Sequence, residues 1–75
     1  MKKQNSFFEK ERILYVISVV KCDKYEASLH MGRMQGYKEA LSNMGVDFTI
    51  ICDLQDRIMT AIDFAYRMRR RYLKK

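Results

Sequence analysis

Between residues 24 and 44, Ala27, His30, Met34, Tyr37, Leu41 and Met44 recur at spacings of 3, 4, 3, 4 and 3. Only an α-helix places residues so spaced on one continuous face. Asp23 followed by Glu26 supplies a start signal and Gly45 a left-handed stop, so the pattern predicts a helix over 24–44. A second periodic set, Leu54, Ile58, Ala61, Ile62, Ala65, Met68 and Tyr72, predicts another helix over 53–73. Asp53 and Asp56 read as its N-terminal acids, and the cations of its last turns complement the negative end of the helix dipole by roughly 0.3–1 kcal/mol. Ser6-Phe7-Phe8-Glu9 has the form of a capping box and predicts a third helix over 6–21.

Two stretches resist assignment from local pattern. Five of the eight residues in 13–20 are Val or Ile, which favour strands, yet the capping box upstream argues for helix. Read as helix, the stretch is apolar nearly all round, and we expect it to be sandwiched between neighbours. Residues 46–52 alternate loosely and offer a short strand at 47–51, whereas Asp47 equally suits the cap of an early start to the last helix. The expected fold is therefore mainly α, with three helices. The alternative is a βαβα unit with parallel strands at 12–20 and 46–52, which would expose sheet edges in a lone protomer.

The 75 residues make one small domain over 1–75 with a basic end at 66–75, and so short a chain buries a limited share of its surface. Small proteins close that deficit with disulfides, metal or self-association. Cys22 and Cys52 form no zinc-like spacing, and we expect both to be reduced, buried, small hydrophobes. Self-association is then the expected route, given an apolar content of 48%. The longest nearly unbroken apolar run, 13–20, falls far short of the roughly 20 residues of a membrane span. Met1-Lys2-Lys3 before an apolar run imitates a secretory leader, but the charges at 9–12 and the lack of a small-residue cleavage site argue against it. The expected location is cytoplasmic.

Charge is distributed unevenly. Residues 66–75 hold six of the fifteen Lys and Arg and no acid, while the other 65 residues carry nine bases and nine acids, so the formal charge of +6 belongs to the last ten residues. Arg67, Arg69, Arg70, Arg71, Lys74 and Lys75, interleaved with Tyr66 and Tyr72, have the composition of an anion-binding element with stacking groups. An acidic protein surface is the leading partner, nucleic acid the alternative and a membrane surface the least favoured. A terminal helix can also carry such charge for solubility and dipole matching alone.

No enzymatic motif is present. His30 lacks the ligand cluster a metal requires and reads as a packed seam histidine. Asp47, Asp53, Asp56 and Asp63 match no EF-hand or carboxylate-histidine spacing, and Asp63 suits an ordinary ion pair with Arg67 four residues on. Ser6, Ser18, Ser28 and Ser42 have no nucleophile setting. Met34, Met44 and Met68 read as core filler, with a Met-lined docking groove as the functional option. Leu29, Gly32, Gly36 and Ala40 form a small-residue stripe, and two mid-helix glycines at roughly 1 kcal/mol each suggest close approach of another backbone. An internal contact is favoured over an intermolecular one. Together with Ile13, Ile17 and Val20 this stripe is the expected packing or self-association surface. The reading is a small non-enzymatic regulatory or inhibitory protein that binds another macromolecule and self-associates, with no cofactor and no small-molecule substrate. The alternative is a nucleic-acid binder that uses its basic last helix on phosphates.

Overall fold

Each predicted helix forms, and both ambiguous stretches are helical. The computed structural model describes residues 2–73 and the side chains of 6–73. Its elements are α1 (Lys2–Val20), α2 (Lys24–Asn43) and α3 (Phe48–Leu73). There is no strand among the described residues, so the short strand at 47–51 and the βαβα alternative are both overturned. Intrinsic propensity explains why the β-branched run was no obstacle. Val and Ile in a helix cost less than about 0.7 kcal/mol each relative to alanine, and packing against two helices outweighs that.

The termini show how each boundary is set. Ser6 lies inside α1 rather than at its start, so the expected capping box is not where the helix begins. The Glu9 carboxylate turns instead to Arg12 and Arg57. At α2, the Asp23 side chain accepts from the Glu26 amide at 3.1 Å, as the start signal predicts. At α3, the Asp47 side chain accepts from the Thr49 amide at 3.2 Å and starts the helix five residues before the expected position 53. This is the early-cap option, and it removes the supposed strand.

Both helix C-termini close in the same manner. The Asp23 amide reaches back to the Ser18 carbonyl at 2.9 Å, and the Val46 amide to the Leu41 carbonyl at 3.1 Å. Each closure needs one residue in left-handed conformation. Gly45 supplies it with φ +81°, as expected, and Cys22 supplies it with φ +63°.

Cross-helix pairs fix the topology. Phe8 packs on Tyr37 and Glu11 meets His30, so α1 and α2 run antiparallel. Lys38 donates to Gln55 at 2.8 Å, so α2 and α3 are antiparallel as well. Arg57 donates to Glu9 at 2.8 Å across 48 residues, and Val16 and Val20 share a hollow with Phe64 and Met68, so α1 and α3 run parallel. The core is Phe8, Tyr15, Val19, Met34, Leu54, Ile58, Ala61 and Ala65. Ala27, Tyr37, Leu41 and Ile62 pack around it, in agreement with the two periodic faces. Met44 and Tyr72, at the ends of those faces, are exposed.

Two further expectations are corrected. Cys22 and Cys52 are free thiols as expected, but both are exposed rather than buried, because each falls on the outward side of its helix end or face. Residues 13–20 are not sandwiched: Tyr15, Ser18 and Val19 point inward while Ile13 and Ile17 face out, because only two helices are available to cover α1.

Candidate functional site

The last turns of α3 lie alongside the end of α1, and their side chains diverge around the helix. Arg67 is engaged by Asp63 at 3.1 Å, the ion pair expected from their spacing. Arg69 turns toward the α1–α2 connection, where it lines a small gap with Val19, Asp23, Ala27 and Tyr66. Its Nε is buried and has no hydrogen-bond partner among the described residues. Arg70 and Arg71 are exposed and form no ion pair among the described residues. Tyr66 and Tyr72 are exposed on different sides of the helix, and Lys74 and Lys75 lie outside the described residues. The basic segment is thus several surfaces, on which Arg70 and Arg71 are the cations outside ion pairs among the described residues and open to solvent.

Those two arginines border apolar ground. Phe64, Arg67, Met68, Arg70 and Arg71 line an open hollow of about 490 Å³. Adjoining it, between α1 and α3, Val16, Ile17, Val20, Lys21, Phe64, Met68 and Tyr72 line a second of about 290 Å³. Ile17 is 43% exposed, Phe64 51% and Tyr72 62%, so this is uncovered apolar surface and not core. Ile13, one turn earlier on α1, is 54% exposed. Of the expected self-association residues, Ile17 and Val20 therefore meet at one valley. Phe64 and Lys21 were missed. Phe64 falls outside the core-facing set of α3, and only the parallel pairing of α1 with α3 brings it beside Val16 and Ile17.

Leu29, Gly32, Gly36 and Ala40 lie on the opposite side of the molecule, on the outward face of α2. Nothing lies within 4 Å of the position a Cβ would take at either glycine. The internal close contact favoured from sequence is therefore not made, because α1 and α3 both pack on the His30–Met34 side of α2.

Several polar groups elsewhere pair with one another. His30 is 6% exposed and Glu11 3%, with His30 Nδ1 at 2.5 Å from Glu11 and Nε2 at 3.2 Å from Glu26. Arg33 adds a 3.4 Å contact to the second Glu11 oxygen. At the α1–α3 seam, Glu9 binds Arg12 and Arg57, and Arg57 also holds Asp53 at 3.1 Å. Burial alone would raise the Glu9 carboxyl, but the Arg12 hydrogen bond and the two guanidinium charges outweigh it and hold the carboxyl below its ordinary value. Burial, reinforced by Tyr66, pushes the Tyr15 phenol above its ordinary value. No group of three or more His, Cys, Asp or Glu among the described residues is placed to hold a metal ion. No helix among the described residues is long and apolar enough to cross a membrane.

No family model, curated protein or solved structure matches the chain.

Proposed function

We propose that this chain is a small non-enzymatic regulatory protein that acts by binding an acidic protein partner at the C-terminal end of α3. One observation carries the reading: Arg70 and Arg71 form no ion pair among the described residues and line an open hollow with Phe64 and Met68, which adjoins the apolar valley between α1 and α3. Cations kept only for solubility need no apolar surface beside them. Binding surfaces combine an apolar centre with a charged rim. The phosphate-binding alternative would use the same cations, but Arg67 is already engaged by Asp63 and Arg69 is turned inward, which leaves few guanidiniums to track a nucleic-acid backbone.

Self-association belongs to the same proposal as a second reading, supported by the open stripe of Leu29, Gly32, Gly36 and Ala40 on the far face of α2. A backbone can approach closely there because no side chain intervenes.

Affinity capture from native lysate, with and without nuclease, tests the main reading when the wild type is compared with Arg70→Gln, Arg71→Gln, Lys74→Gln, Lys75→Gln. The expected result is a nuclease-resistant protein partner that the neutralised variant loses. Nuclease-sensitive capture whose log affinity falls with log salt at a slope of roughly −4 would instead assign the site to duplex nucleic acid.

A further inference from the structure

The valley between α1 and α3 has a shape and a charge pattern that together describe its occupant. Two ridges border it. Val16 and Val20 stand one helical turn apart on α1 beside Ile17, and Phe64, Met68 and Tyr72 stand at successive turns on α3. Residues one turn apart on a helix are about 6 Å apart, so the two parallel ridges offer regularly spaced steps. A third rod with apolar side chains at the same repeat interdigitates with such ridges. No strand edge is present among the described residues to recruit an extended peptide instead.

Charge decides whose helix it is. The rim carries Lys21, Arg70 and Arg71, none of them in an ion pair among the described residues. Of the nine acids in the chain, Glu9, Glu11, Glu26, Asp53 and Asp63 are in ion pairs, and Asp23 and Asp47 cap helices. Among the described residues only Glu39 and Asp56 are left outside these pairs and caps. Both are exposed, Glu39 on α2 and Asp56 on α3. A second copy of this chain therefore brings, among the described residues, two carboxylates outside pairs and caps, and its net charge of +6 opposes the rim cations. The occupant must supply its own carboxylates.

We infer that the α1–α3 valley seats an amphipathic helical segment of another protein, with its apolar face on Ile17 and Phe64 and its carboxylates against Lys21, Arg70 and Arg71. This rests on the protein-binding reading above and specifies the partner's chemistry.

The test uses the full chain and three labelled peptides of about five helical turns. One is an amphipathic Leu/Glu helix, one has the same composition in an order that scatters the leucines, and one replaces Glu with Lys. Fluorescence anisotropy is read for the wild type, Ile17→Asp, Phe64→Asp, and Arg70→Gln with Arg71→Gln. Circular dichroism checks that each variant folds, as expected for exposed positions. The ordered acidic peptide should bind saturably, with the scattered peptide and both Asp variants about tenfold weaker and the Lys peptide without measurable binding. The double Gln variant should bind more weakly and with a flatter salt dependence. Equal binding of the ordered and scattered peptides, unaffected by Ile17→Asp and Phe64→Asp, overturns the valley while leaving the acidic-partner reading in place. Failure of both acidic peptides, or tighter binding of a single-stranded oligonucleotide, overturns that reading too. A dimer in sedimentation equilibrium that Ile17→Asp dissolves would assign the valley to a second copy.

Discussion

Glu11 of α1 and His30 of α2 meet at 2.5 Å in the interior, 19 residues apart in the chain. Both are nearly inaccessible to water, and beyond each other they keep one longer contact apiece, Glu26 for His30 and Arg33 for Glu11. Leaving one buried polar partner alone costs more than the pair contributes. His30→Leu and Glu11→Leu are each expected to destabilise by roughly 1–3 kcal/mol, because the survivor stays buried with only its longer contact. The double replacement should cost far less than the sum. Urea melts of the four proteins form the cycle, and additive single effects would show that the two residues do not act as a pair.

Stability should fall at both pH extremes for two separate reasons. The Glu9 carboxyl is held below its ordinary value of 4.5, so its contribution is present above that pH and is lost as pH falls toward the folded-state value. Arg57→Gln should weaken this acid-side loss. The Tyr15 phenol lies above its ordinary value of 10.0, so its contribution is complete below pH 10 and is lost as pH rises beyond it. Tyr15→Phe should remove that alkaline loss. Thermal melts across pH read both limbs, and an unchanged profile in either variant refutes the corresponding assignment.

Cys22 holds a left-handed conformation that a side chain resists, and glycine adopts it freely. Cys22→Gly should therefore stabilise by about 0.5–1 kcal/mol despite the added freedom of the unfolded chain. The companion substitution Gly45→Ala should destabilise by a similar amount, since φ is +81° there. Denaturant midpoints under reducing conditions decide it, and a destabilised Cys22→Gly would show that the thiol contributes more than the backbone strain costs.

Gly36 faces open space in the protomer. Gly36→Ala should raise protomer stability by roughly 0.5–1 kcal/mol through helix propensity alone. Gly36→Leu should fold and yet weaken self-association, if two α2 helices approach there. Sedimentation equilibrium of both variants against the wild type measures this, and an unchanged mass distribution in Gly36→Leu would place any self-association elsewhere.

Much of this architecture is local and was readable as such. The seam from Ala27 to Leu41 and the stripe from Leu54 to Ala65 repeat at the helical period because each helix must present one apolar face to the others. Asp23 and Gly45 act within one turn of their own position, so their roles survive translation from sequence to structure unchanged. Residues 46–52 were misread as a strand option because alternation over so short a run does not separate strand from helix, and Asp47 settles the matter by holding the Thr49 amide.

The sequence by itself determined three helices, most of the core faces and the placement of the whole net charge in the last ten residues, since periodicity, capping and composition are properties of neighbours along the chain. Only the tertiary structure decided that α1 and α3 run parallel, that Glu11 is the partner of His30, that Gly32 and Gly36 face outward, and that Ile17 and Phe64 border one uncovered valley. Those relations join residues 19 to 48 positions apart. The physical reason is that a helix specifies which of its faces is apolar but not which helix will cover it, and three helices leave one side of α1 with nothing to pack against.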